Sequence, residues 1–280
     1  MKKVNPPAFK LLLPAFLLFV GAAKAQKLPN VQQASVRAPA NVKIDGKVNE
    51  WDDTYGAYNK ATEIFYTIAN DDQNLYLVVK ATDYDIINKI VDGGVEFTIQ
   101  KSDKKAGKDG VSITYPAYET PDNKSTFRFN FSLALPRAAD SSPVLADSLM
   151  HMNNNILAQN CKSVRVSGIA GLDSLLSIYN EDGIRVAGLF DLKKAYKIEM
   201  AIALKHLSFS PLDAGKFAYH ISLNGAKPKP LKHITFAVGF HGDGTRFTDV
   251  ELQDMEAGVA IHEARISSPT DFWGEYTLKK

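Results

Sequence analysis

Val42-Lys43-Ile44-Asp45-Gly46-Lys47-Val48-Asn49-Glu50-Trp51 is the stretch around which the chain is organised. Val42 and Ile44 alternate with a lysine as the end of a strand does, and Asp45-Gly46 is a residue pair suited to a tight turn. The pattern predicts a short opening strand, a turn and an anchoring indole. A tryptophan so placed is expected across the end of a β-sandwich, its ring shielding the core and its N–H reaching a carbonyl. Asp45, Gly46 and Trp51 are therefore read as a structural motif.

Downstream the chain is a succession of period-two segments separated by turn residues. Ile64, Tyr66 and Ile68 share one face; Leu75, Leu77, Val79 and Ala81 lie opposite Tyr76, Val78 and Lys80. Val95, Phe97 and Ile99 alternate with Glu96, Thr98 and Gln100, and Phe127, Phe129, Phe131 and Leu133 with Arg128, Asn130 and Ser132. The pattern returns in Ile198 to Leu204, in Phe217 to Leu223, in Val164 to Ile169, and in Leu175 to Phe190 with a turn at residues 180–183. Alternation without a βα rhythm predicts an all-β fold, an antiparallel β-sandwich of jelly-roll type. One helical insertion is expected, because Ser142-Pro143 is a cap pair and Leu145, Leu149, Met152 and Ile156 follow at helical spacing. Residues 239–254 read as a long loop, and residues 272–278 as a final strand returning beside the first.

The motif at Ile44-Asp45-Gly46 and Glu50-Trp51 resembles the opening of the family 9 carbohydrate-binding modules and their DOMON-like relatives. Asn70 to Asp83 is similar to that family's segment of polar turn, Leu-Tyr, apolar strand and Asp. Tyr196 to Ile202 is similar to its Tyr-Glu-Ile-Pro strand, with Ala203 where the family usually has proline. The resemblance covers roughly Val42 to the C-terminus. It implies a sugar site at one end of the sandwich, with the sugar held between two tryptophans, and a structural calcium at loops.

The chain departs from that pattern. Trp51 and Trp273 are its only tryptophans, and none precedes Asp71-Asp72, where the first stacking ring is expected. Sugar recognition needs flat rings for the apolar faces of pyranoses and carboxylates for their hydroxyls. Trp273, Tyr66 and Tyr84 are the candidate rings, and Glu96 and Glu199, on the outward halves of their strands, the candidate carboxylates. For calcium, Asp71, Asp72, Asp83 and Asp85 form one acidic group and Asp243, Asp249, Glu251 and Asp254 another. The Asn70 to Asn74 run is equally an ordinary side-chain-capped turn, and no metal site is assigned from it.

At the N-terminus, Lys2, Lys3 and Lys10 precede the apolar run Leu11 to Ala23, and Ala23-Lys24-Ala25 is a small-x-small cleavage signal. The expected organisation is a signal peptide over residues 1–25, an extended lead-in over 26–41 and a single β-sandwich domain over 42–280. No cysteine follows the cleavage site, so the signal is not of lipoprotein type, and the expected location is secreted or periplasmic. Residues 1–25 hold four lysines and no acid, so their removal takes the formal charge from +2 to −2. The remaining balance gives no reason to expect nucleic acid or a membrane as partner. Cys161 is the only cysteine, which excludes an intrachain disulfide.

No nucleophile elbow, phosphate loop, zinc helix or dinucleotide glycine pattern is present, and the six histidines lack ligand spacing. No catalytic residue, cofactor or haem ligand pair is assigned. The expectation is a secreted, non-catalytic carbohydrate-binding protein. The competing expectation is an extracellular or envelope structural protein whose β-sandwich binds other proteins and no sugar.

Overall fold

Period-two alternation builds two six-stranded sheets in the computed structural model, which describes residues 27–101, 110–119, 143–207, 215–225, 245–246 and 248–280. The first sheet contains β1 (Val36–Arg37), β2 (Ala57–Asn59), β3 (Ile64–Asn70), β4 (Asn74–Ala81), β9 (Ile184–Phe190) and β10 (Tyr196–Ala203). Its order is β1-β3-β4-β10-β9, with β2 also paired to β3. The second contains β5 (Val95–Lys101), β6 (Val111–Ala117), β7 (Ser163–Ser167), β8 (Leu175–Ser177), β11 (Lys216–Leu223) and β12 (Thr270–Thr277), in the order β12-β11-β5-β6-β7-β8. Among the described strands every pairing is antiparallel except the two-residue contact of β1 with β3.

The inner faces of the two sheets share one core. Tyr66, Ile68, Leu77, Val79, Ile198 and Met200 from the first sheet meet Phe97, Ile113, Val164, Tyr219 and Ile221 from the second, all without exposed surface. The hydroxyls of Tyr66 and Tyr219 are 2.9 Å apart across the layers, so two core phenols satisfy each other. Tyr66 also accepts the Gln32 N–H at 2.8 Å.

The outer face of the first sheet is buried as well. Val48, Trp51 and Tyr55 pack on Ala69, Tyr76, Val78 and Ala201, forming a second apolar cluster. Burial therefore does not alternate along β4 and β10, which are enclosed on both sides. Trp51 does not close an end of the sandwich, as its position after the turn suggested. It lies on a sheet face, because residues 42–55 form a strap across β4, β10 and β9. Val42 to Ile44 join no ladder, so the expected opening strand is an irregular part of that strap.

Two side-chain amides finish the edges of the first sheet. β2 and β1 cover the two ends of β3, and at Ile68 between them the Gln32 side chain stands in for a peptide group. Ile68 N–H donates to Gln32 Oε1, and Gln32 Nε2 donates to the Ile68 carbonyl, each at 2.8 Å. On the opposite edge, Phe190 N–H donates to Asn154 Oδ1 at 2.7 Å and Asn154 Nδ2 donates to the Phe190 carbonyl at 3.0 Å. Backbone groups that would otherwise template another strand are thereby occupied. The expected lead-in is thus part of the sheet.

Three helices are present among the described residues, not one: α1 (Tyr84–Gly93), α2 (Pro143–Asn160) and α3 (Asp249–Ser267). α2 is the expected insertion. α1 starts because the Asp83 carboxylate accepts the Asp85 and Ile86 N–H groups, and it buries Ile86, Ile87, Ile90 and Val91. α3 takes up the C-terminal part of the expected loop and opens with a Thr248/Glu251 capping box. β12 pairs with β11 and not with the first strand, although the Tyr276 hydroxyl donates to the Val36 carbonyl at 2.9 Å. The alternating residues 127–133 and the expected signal peptide lie outside the described residues.

Candidate functional site

The strap is held by one carboxylate. Glu199 projects from the outer face of β10 and has no exposed surface. Its Oε2 accepts the N–H groups of Asp45 at 3.1 Å and Gly46 at 2.7 Å, and its Oε1 accepts the Trp51 indole N–H at 2.9 Å. Burial raises the Glu199 pKa, and the donated bonds from Gly46, Trp51 and Asp45 pull it partway back. Gly46 sits at φ +81°, and a Cβ there would come within 3.0 Å of the backbone of Gly188 and Leu189. Only glycine takes that conformation so close to β9 without strain. Asp45, Gly46 and Trp51 thus converge on Glu199. Glu199 was expected as a ligand residue. It faces outward as its alternation required, but the strap covers that face.

Beyond Trp51 the strap delivers Asp53 to two lysines, Lys80 at 2.9 Å and Lys197 at 3.2 Å, and Lys197 also reaches Asp191 at 3.2 Å. Burial opposes the Asp53 charge, but hydrogen bonds and attraction from Lys80 and Lys197 outweigh it and hold the carboxyl at about 2. That lies below the value of about 3.9 expected in the unfolded chain, so stability from this group is present above about pH 4. It is lost as the pH falls through about 2. Unfolding followed from pH 5 to pH 2 should show this loss, and Asp53→Asn should flatten the curve there; an unchanged curve would show that the lysines do not hold the carboxylate.

The outer face of the second sheet has a different character. Strand register places Trp273, His220, Thr98, Ser112 and Ser167 in one row across five strands, and Asp271, Ser222, Glu96, Thr114 and Arg165 in the next. The Trp273 and His220 rings stack at 4.5 Å and 18°, and His220 Nε2 lies 3.3 Å from Asp271 Oδ1. Glu96 accepts the Thr98 and Thr114 hydroxyls, both at 3.3 Å. These are long for O–H···O bonds, and a better-placed donor would displace them readily. Ser222 and Thr114 are buried, whereas Trp273, His220, Glu96, Thr98 and Ser112 are half-buried.

The expected ligand residues thus separate. Trp273 and Glu96 share one face, their strands two positions apart, or roughly 10 Å at the usual strand spacing. Tyr66 lies between the sheets with no exposed surface, its hydroxyl committed to Tyr219 and Gln32. Tyr84 stands on the first turn of α1, 46% exposed, and on neither row of that face. In the expected acidic loops, Asp71 accepts the Gln73 and Asn74 N–H groups and the Tyr76 hydroxyl. Asp83 caps α1, and Asp85 binds Arg265 at 2.8 Å. Among the described residues no group of three or more His, Cys, Asp or Glu is placed to hold a metal.

A cavity of about 590 Å³, which no motif foreshadows, is bounded by the strap, α2 and the turn from β9 to β10. Met150, Leu189, Phe190 and Leu192 supply its apolar wall; Lys47, His151, Lys193 and the Asp53–Lys197–Asp191 cluster supply its polar groups. No described helix is long and apolar enough to cross a membrane. Fold and face together define a mostly β protein of two sheets with a ring-and-hydroxyl surface on one of them. Compared with models of known families the chain matches none, and no characterised protein matches its sequence.

Proposed function

We propose that this is an exported, non-catalytic carbohydrate-binding protein with a jelly-roll-like sandwich, which takes sugar on the outer face of its second sheet. The observation that carries the reading is the pair of rows running from Trp273 and Asp271 across β11, β5, β6 and β7. A ring pair at one end offers a flat apolar surface to a pyranose, and the carboxylates and hydroxyls beside it accept and donate to sugar hydroxyls. The similarity of the strap motif to carbohydrate-binding modules supports the same class. Export rests on the N-terminal lysines, apolar run and small-x-small signal. Against the competing reading, assembly with other proteins, edge-to-edge pairing of the first sheet is opposed at Ile68 of β3 and Phe190 of β9, where side-chain amides occupy the backbone groups.

The test is pull-down and calorimetry against glucans, xylans and host glycans. Trp273→Ala should weaken the glycan that binds by at least about tenfold, or 1.4 kcal/mol, and Glu96→Gln should weaken it with the side-chain shape retained. Melting temperatures should stay close to that of the parent. Absence of binding across the panel, or full binding by both variants, would rule the reading out.

A further inference from the structure

We propose that the cavity between the strap, α2 and the β9–β10 turn is a second ligand site, for an amphipathic organic anion of the medium-chain monocarboxylate class. It is separate from the sugar face, being built on the other sheet. Its volume of about 590 Å³ falls within the roughly 300–1,000 Å³ of small-molecule sites.

The apolar wall indicates the tail. Met150 faces Leu189, Phe190 and Leu192 across the cavity, and Leu192 is 55% exposed at the turn, a large apolar group left in contact with water. The charges indicate the head. Three lysines and two aspartates line the cavity, together with His151. Lys197 is held between both aspartates at 3.2 Å, and Asp53 is shared with Lys80, so the acids are already neutralised from within the fold. At the mouth, Lys47 reaches only Asp45 among the described residues, at 3.6 Å and with 61% of its side chain exposed, a solvated pair of little strength. Lys193 sits on the same turn as Leu192 and is exposed. The mouth therefore presents positive charge above an apolar wall, the complement of a carboxylate on a short alkyl chain.

The test is titration calorimetry of the purified protein with decanoate, decanol and decyltrimethylammonium, each below its micelle-forming concentration. Decanoate should saturate one site and bind at least tenfold more tightly than the other two. Lys47→Glu/Lys193→Glu should weaken decanoate at least tenfold and favour the ammonium compound, with the melting temperature unchanged. Lys193→Ala should give a smaller loss in the same direction, and Leu192→Asp should weaken decanoate and decanol alike. No saturable binding, equal binding of the three probes, or indifference to the lysine changes would overturn the proposal. Loss of glycan binding in Trp273→Ala would leave it untouched.

Discussion

Trp51→Ala is expected to lower the unfolding free energy by about 3–5 kcal/mol, the cost of deleting a large buried aromatic side chain. For a chain of this size that is a drop in melting temperature of roughly 10 °C. The indole is 6% exposed and contacts the Tyr76 ring edge-on at 5.9 Å. Its removal opens a cavity on the outer face of the first sheet and leaves Glu199 short of one donor. The strap is also strained: Val48, a β-branched residue, takes φ +54°, and Asp52 and Asp53 take φ +50°. Such conformations persist only where the surroundings enforce them, at about 1–3 kcal/mol each. Trp51→Phe keeps much of the packing but not the N–H and should cost about half as much. Urea unfolding followed by circular dichroism measures both, and a loss below about 1 kcal/mol for Trp51→Ala would mean that the strap does not depend on its anchor.

In the second sheet β5 and β12 alternate because one face meets the core and the other does not, whereas β6, buried along most of its length, has no such pattern and was not legible as a strand. The first sheet was legible as strands but not as a two-faced layer. β4 runs Leu-Tyr-Leu-Val-Val with no polar outer row, a run typical of strands enclosed on both sides. What encloses it is a strap whose anchor, Glu199, lies 148 residues away from Trp51; no local pattern carries such a pairing. α1 was hidden because Asp83 reads equally as the acidic end of a strand and as a helix cap. α3 was hidden because it has no apolar face and no buried residue, leaving its capping box as the only signal. Glu96 was identifiable as an outward group and Trp273 as a candidate ring, but that one strand separates theirs is a matter of topology. The cavity draws on four separate stretches of chain, none of which has a motif.

Glu199→Ala should cost about as much as Trp51→Ala, for a different reason. It leaves the N–H groups of Asp45, Gly46 and Trp51 without their acceptor, the last two of them buried. Each buried donor so stranded costs about 1–3 kcal/mol. Water entering the vacated space and the removal of a buried charge offset part of that, for a net loss of about 3–5 kcal/mol. Glu199→Gln separates the two contributions. It keeps the volume and removes the charge, but its amide has one oxygen where the strap and the indole use two. Whichever way it turns, an NH₂ group faces an N–H donor, and the expected loss is about 1–3 kcal/mol. Because the carboxylate binds both the strap backbone and the Trp51 indole, the changes at 51 and 199 should not add: with the strap already released, Trp51→Ala/Glu199→Ala should cost clearly less than the sum of the single changes. Urea unfolding of the four proteins measures the coupling. Strict additivity, or a Glu199→Gln protein within about 0.5 kcal/mol of the parent, would show that the strap is held by apolar packing alone and that the carboxylate is incidental to it.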